Sequence, residues 1–322
     1  MAGHRISPAA SPGPGGCVVK TLVVGYGSIG RRHVRLLDEM GCPVAVVSRQ
    51  SVDSVPCFSN LEEAISCWHP EYVVVANSTS EHRQTLENLI HYKFAGRLLM
   101  EKPLFDKVSE PLPHGFSHAA VAYNLRCHPL IIRLRELLTP LVRITTATIY
   151  VGSFLPDWRP GTDYRKSCSA SKEKGGGVLR DLSHEIDYAM LLFGPWRRLT
   201  ALGGRLGTLD INSDDGFSLL METRSAPLVT LHMNYLDKIP KREIRITTDQ
   251  DSIHVDLIKN TLTTTHEKTS YEVARDDTYL SQHRLMLKGD TQTLCSIKEA
   301  METLITIEAA EKAASSNTWI TR

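Results

Sequence analysis

Short runs of branched apolar residues alternate with amphipathic stretches over the first third of the chain. Val18, Val19, Leu22, Val23 and Val24 read as a strand buried on both faces. Gly25-Tyr26-Gly27-Ser28-Ile29-Gly30 comes next, then a helix carrying Val34, Leu36, Leu37 and Met40 that Gly41 and Pro43 stop. Residues 44–47 form a second strand, Asn60 caps a helix through Cys67, and 72–76 is another buried strand. Ser80 caps a helix with Leu86, Leu89 and Ile90, and strands at 97–100 and 119–123 complete the series. Strand and helix in alternation, joined by short connections, predict an α/β fold with a doubly wound parallel sheet of the Rossmann type.

The rhythm changes after Asn124. A helix is expected over 129–138, a strand over 144–151 and a helix over 178–193. Strands follow without helices between them, at 217–223, 228–235, 243–248, 252–256 and 262–266. This implies an α+β domain with a mostly antiparallel open sheet, closed by an amphipathic helix over 294–314. The first sixteen residues are rich in Pro, Gly, Ala and Ser and bury too little to order themselves. The predicted organisation is a flexible leader (1–16), an α/β domain (17–124) and an α+β domain (125–322).

Composition narrows the classes. Lys plus Arg is 37 and Asp plus Glu 36, so no basic excess exists for nucleic acid or a membrane surface. No run of about 18 apolar residues is present to span a bilayer. The seven cysteines are odd in number and contain no C-x-x-C, which argues against a disulfide framework or a zinc ribbon. Reduced thiols and a cytoplasmic location are expected. His4, His69, His91, His114 and His118 show no metal-ligand spacing, and no metal is expected.

The glycine-rich segment lies after a buried strand and before a helix, where G-x-G-x-x-G lets a pyrophosphate approach the helix N-terminus. The acidic residue that holds a ribose diol, about twenty residues on, is missing. Ser48 and Arg49 stand there instead, with Arg31 and Arg32 nearby, which tilts the reading slightly from NAD toward NADP. The alternative is a solvated Arg49 with NAD bound all the same. On the helix wheel, Asp181, His184, Glu185 and Tyr188 share one face, opposite Leu182, Ile186, Ala189, Met190 and Phe193. An Asp–His pair can orient an imidazole as base for a hydroxyl proton, and Lys102 can polarise a carbonyl. The bland alternatives are a solvated helix face and a lysine ending an edge strand. The loop Trp158-Arg159-Pro160-Gly161-Thr162-Asp163-Tyr164-Arg165 offers rings and guanidinium groups suited to a sugar and an anionic substituent.

Five short motifs occur in order: the glycine segment, Asn77-Ser78-Thr79-Ser80-Glu81-His82, Glu101-Lys102-Pro103, Tyr123-Asn124, and Gly175-Gly176-Gly177 running on to Asp187. The series resembles the glucose–fructose oxidoreductase, inositol dehydrogenase and rhizopine-catabolism (Gfo/Idh/MocA) family of NAD(P)-dependent oxidoreductases. The resemblance implies that Lys102 sits beside the nicotinamide at a strand end, often before a cis-proline, and that His184 is the catalytic histidine with Asp181 upstream. In the inositol dehydrogenase type these two are four residues apart; here they are three apart. The implied cofactor set is Gly25, Gly27, Ser28, Ile29, Gly30, Ser48, Arg49, Asn77, Ser78, Thr79, His82, Glu101, Lys102 and Asn124. Tyr123, Arg126, Trp158, Arg159 and Tyr164 are the substrate-side candidates. The function implied is hydride transfer between NAD or NADP and a secondary alcohol or ketone of a sugar, cyclitol or sugar nucleotide, in a homo-oligomer. A dinucleotide-sensing regulator on the same fold is the alternative.

Overall fold

The computed structural model describes Arg5–Ile6 and residues 19–139 and 141–322. The leader expected over 1–16 lies outside the described residues apart from Arg5–Ile6, which pair in parallel with Lys268–Tyr271. The chain forms two compact units. One takes the described residues through Cys127 together with Arg275–Met301; the other takes His128–Ala274 and Glu302–Arg322 with the short strand Arg5–Ile6.

Among the described residues, the first unit holds six parallel strands. Their order is Cys57–Phe58, Val44–Val47, Thr21–Val24, Tyr72–Val75, Arg97–Met100 and His118–Val121. The chain winds outward from Thr21–Val24 in one direction, then crosses back to Tyr72–Val75 and winds in the other. The crevice at the carboxyl ends of these two strands is where such a sheet receives ligands. Thr21–Val24 and Tyr72–Val75 are buried at every position, as strands covered on both faces must be. Asn60 caps Leu61–Trp68 by accepting from the Glu63 N–H, and the helix Thr79–His91 begins one residue before Ser80, with Ser78 at its cap.

A seam near Asn124 leaves out one feature, because residues Arg275–Met301 return to the first unit. The helix Asp277–Lys288 brings Met286 into the core with Val23, Val46, Val74 and Leu99, and Leu294 joins the same cluster. The Val121 N–H bonds the Cys295 carbonyl at 2.8 Å, which extends the sheet edge. This helix escapes the apolar pattern because most of its buried positions are polar: Thr278, Gln282 and His283 accompany Met286.

The second unit is built on a ten-stranded sheet among the described residues, antiparallel apart from the edge strand Arg5–Ile6 and the pair Ile144–Gly152 with Val229–Asn234. Along Ile144–Gly152 the residues Ile144, Ala147, Ile149 and Val151 point into the core. The helix expected over 178–193 is two helices, Val178–Asp181 and His184–Phe193, with Leu182 and Ser183 between them. Half of its polar face is buried: Asp181 and His184 are half-buried, but Glu185 and Tyr188 are fully covered, and Arg242 from the strand Lys241–Thr248 reaches Glu185. A polar face on a helix wheel means solvent only when no charged partner covers it.

His128 opens this unit as the cap of the helix Pro129–Leu137, its Nδ1 accepting from the Leu130 N–H at 3.2 Å. Burial, only partly opposed by a hydrogen bond to Asn260 and reinforced by Arg242, lowers its pKa to about 4. The native state therefore declines a proton that the unfolded chain accepts below its ordinary value of about 6.5. Stability is full above that value and falls as pH drops through the window to about 4, by an amount on the order of 3 kcal/mol from this group. The check is urea denaturation at pH 7.5 and 4.5. His128→Asn keeps a capping acceptor and should flatten the loss by about that amount.

Candidate functional site

The first functional locus is the crevice of the parallel sheet. Gly25 ends the strand Thr21–Val24 with φ +99°, and a Cβ there would lie 2.6 Å from the Asn77 nitrogen. A Cβ on Gly30 would lie 2.1 Å from the Gly25 oxygen, so the helix Ser28–Glu39 starts directly against the turn. At Gly27 a Cβ meets nothing within 4 Å, so the mouth of the turn is open. Across the crevice, Asn77 donates through Nδ2 to Thr85 Oγ1 at 2.9 Å, while its buried Oδ1 has no partner. An open turn at a helix N-terminus, faced by an orphaned buried acceptor, fits a polar dinucleotide. Ser28 and Ile29 are the first residues of that helix, and Ser78 and Thr79 begin the one opposite. Gly30→Ala is expected to displace the turn and weaken NADH binding by at least about tenfold, read by fluorescence titration.

His82 is buried, with Nδ1 3.1 Å from the carbonyls of both Pro103 and Leu104 and Nε2 3.3 Å from that of Asn77. Burial holds its pKa below the ordinary histidine range against these carbonyls. Its side chain is a strut between the Asn77 turn and the Lys102–Pro103 turn. Lys102 follows the strand Arg97–Met100 at its carboxyl end, half-buried, and the Lys102–Pro103 peptide is cis. Glu101 accepts from the Lys102 N–H through Oε2 at 3.2 Å, and its Oε1 lies 2.8 Å from His33 Nε2. Ser48 Oγ accepts from the Gln50 N–H, and the exposed Arg49 pairs with Glu81 at 2.5 Å.

Two of the remaining candidates are differently employed. Asn124 is buried and donates to Thr278 Oγ1 at 2.7 Å, which ties the strand end to the returning helix. Arg126, expected on the substrate side, is buried and committed to Glu299 at 2.8 Å and to the Leu294 carbonyl. Tyr123 is likewise buried. Past the strand His118–Val121 the chain turns inward, which sequence alone does not reveal.

The second locus lies wholly in the other unit. A cleft of about 330 Å³ is lined by Asp181, His184, Trp158, Ser153, Lys241 and Arg242. Asp181 ends one short helix and His184 begins the next, so the break at Leu182–Ser183 sets their relation. Asp181 accepts from the Tyr235 hydroxyl at 2.7 Å, and Trp158 stands edge-on to the Tyr235 ring while donating to Ser153 Oγ at 2.8 Å. Tyr235 was not a candidate from the sequence; it closes the strand 228–235 among apolar residues and reads there as core. A neighbouring cleft of about 260 Å³ contains Trp158, Arg159, Asp163 and Tyr164, so the loop gathers its aromatic and charged groups around one hollow. Tyr164 accepts from the Asp210 N–H at 3.2 Å. Among the described residues no group of three or more His, Cys, Asp or Glu could hold a metal ion.

Two family models match this chain. Residues 19–112 match the oxidoreductase family model with an NAD-binding Rossmann fold, and residues 143–254 match the GFO/IDH/MocA C-terminal domain. The chain belongs to the Gfo/Idh/MocA oxidoreductase family. Solved structures with the same fold include GenD2 from gentamicin A biosynthesis in complex with NAD, at 19% identity and TM-score 0.77, covering 98% of this chain and 99% of that one. The WlbA dehydrogenase from Bordetella pertussis, in complex with NADH and UDP-GlcNAcA, gives 16% identity and TM-score 0.76 over 95% and 99% of the two chains. Levoglucosan dehydrogenase, in complex with NADH and L-sorbose, gives 14% and 0.79 over 94% and 98%. No curated protein sequence matches this one. Among the described residues no helix is long and apolar enough to cross a membrane.

Proposed function

We propose that this Gfo/Idh/MocA protein transfers a hydride between a nicotinamide dinucleotide and a secondary alcohol or ketone of a sugar, a cyclitol or a sugar nucleotide. The observation that carries the reading is the glycine turn packed against Asn77 at the crevice of the parallel sheet, open at Gly27 and faced by the unpartnered Asn77 oxygen. The turn and the N–H groups of Ser28 and Ile29 receive the pyrophosphate. Bound there, the nicotinamide supplies or accepts the hydride. In the first unit Lys102 can stabilise developing negative charge, and in the second His184 can take or return a proton, with Asp181 held in place by Tyr235. The rings and guanidinium of Trp158, Tyr164 and Arg159 favour a sugar with an anionic substituent, a class that the ligand of the WlbA structure shares.

The test is NADH and NADPH titration, then turnover with a panel of sugars, cyclitols and sugar nucleotides. Dinucleotide binding without turnover on any of them would make this chain a sensor rather than an enzyme. The slight tilt toward NADP rests on Arg49, whose guanidinium is engaged by Glu81. Exposed pairs of this kind contribute on the order of 1 kcal/mol at most, so a 2′-phosphate can compete for it. Glu81→Gln is expected to raise NADPH affinity relative to NADH by about threefold, from the release of such a pair. An unchanged ratio would remove Arg49 from the selection of cofactor. Self-association through the ten-stranded sheet belongs to the same reading, and light scattering on the pure protein checks it.

A further inference from the structure

A line of buried titratable side chains runs through the first unit behind the glycine turn. Tyr72 Oη lies 2.9 Å from His283 Nδ1, His283 Nε2 lies 2.9 Å from His33 Nδ1, and His33 Nε2 lies 2.8 Å from Glu101 Oε1. Tyr72, His283 and His33 have no exposed surface, and Glu101 has almost none. The line joins four elements: the helix behind the glycine turn, two neighbouring strands, and the returning helix Asp277–Lys288. It ends on the carboxylate that accepts the Lys102 N–H at 3.2 Å. An ion pair of Arg32 with Asp276 at 2.6 Å fixes the start of the returning helix against the first one.

Hydrogen-bond accounting gives the line a direction. Burial, and next the neighbouring His33, push the His283 imidazole well below the ordinary histidine range, so it carries a single ring proton. Burial pushes the Tyr72 phenol up, so it keeps its own. If Tyr72 donates to His283 Nδ1, then His283 donates from Nε2 to His33 Nδ1, and His33 donates from Nε2 to Glu101. Every donor then finds an acceptor. The reverse order strands the Tyr72 proton without an acceptor and requires either a cationic His33 or a protonated Glu101 carboxyl in the buried line.

We propose that His33 is a positioning residue for Lys102: with its tautomer fixed by His283 and Tyr72, it holds the Glu101 carboxylate on the Lys102 main-chain N–H, so that the glycine-turn helix and the lysine turn are set as one piece. The proposal deepens the reading of this crevice as the dinucleotide site and rests on it for its consequence, namely that cofactor affinity depends on His33.

Long-range nitrogen–proton spectra of histidine-labelled protein read the tautomers directly. Both His33 and His283 are expected as Nε2–H forms; an Nδ1–H form of either, or a cationic His33, overturns the proposal. Amide exchange gives a second readout. In His33→Leu the Lys102 amide should exchange at least about tenfold faster while that of Val74 in the core strand is unchanged, whereas a general loss of stability would speed both alike. An unchanged Lys102 amide, or equal acceleration of both, overturns the proposal. His33→Gln, which restores a donor toward Glu101, should recover the slow rate. Should the leucine variant fail to fold, the tautomer spectra of the unmutated protein remain the deciding measurement. NADH titration of His33→Leu is expected to show about tenfold weaker binding. If the unmutated protein binds no NADH, the dinucleotide reading fails, while the tautomer and exchange results still decide whether His33 positions Lys102.

Discussion

Changing Lys102 to alanine should leave NADH binding nearly intact and cut hydride transfer by about a hundred- to ten-thousandfold. The residue stands at the carboxyl end of Arg97–Met100, two residues past a strand whose last three positions are buried. Its main chain is pinned by Glu101 and followed by the carbonyls of Pro103 and Leu104 that face His82. The backbone around it is thus fixed by contacts the side chain does not make, and truncation beyond Cβ removes the ammonium without moving the turn. A positioned cation acts on charge that develops in the transition state, so the loss belongs in kcat more than in cofactor affinity. The measurement is NADH titration beside single-turnover rates on whichever substrate the panel yields. Loss of NADH binding by the variant would show Lys102 to be a cofactor anchor, and an unchanged rate would remove it from the chemistry.

The largest effect on stability is expected at Glu185. It is fully buried, accepts two hydrogen bonds from Arg242 (Nε at 2.7 Å, Nη2 at 3.0 Å) and a third from Tyr188 at 3.0 Å. Glu185→Ala leaves the guanidinium without its counter-ion and should destabilise this unit by about 3 to 5 kcal/mol. Arg242 is partly exposed at one end of the cleft, and solvent reaching it places the expected value near the lower bound. The double change Glu185→Leu with Arg242→Met removes both charges and should recover most of the loss, because a matched apolar pair avoids the desolvation cost. Urea denaturation followed by tryptophan fluorescence separates the cases. Trp158, Trp196 and Trp319 all belong to this unit, so the signal reports on it chiefly. A single-mutant loss below about 1 kcal/mol would mean that the pair is as weak as a surface one.

The parallel strands were legible because burial on both faces leaves uninterrupted apolar runs. Residues 44–47 and 97–100 follow from that rule alone and coincide with the observed strands. The glycine turn was legible because steric need dictates residue type there. Less visible was anything that depends on a partner distant in sequence. The burial of Glu185 and Tyr188 depends on Arg242, and that of Arg126 on Glu299, each far away in sequence. His33 and His283 are 250 residues apart, and no local pattern announces their contact. The helix Asp277–Lys288 was missed for the same reason, since its inward face is polar and serves that network. Sequence periodicity reports apolar burial; buried polar groups declare themselves only through their partners.

The return of Arg275–Met301 to the first unit also bears on how the molecule is made. A chain emerging from the ribosome presents all six parallel strands by Val121, yet Met286, Leu294 and the carbonyl partner of Val121 arrive only after the whole sheet of strands from Ile144 to Tyr271 has been synthesised. Until then a nascent first unit keeps part of its core and one sheet edge uncovered. That is the kind of surface that holds a chain in chaperone care or invites association. Residues His128–Ala274, the bulk of the second unit, stand in sequence between two stretches of the first, and no cut near Cys127 separates a complete nucleotide-binding fold from the rest.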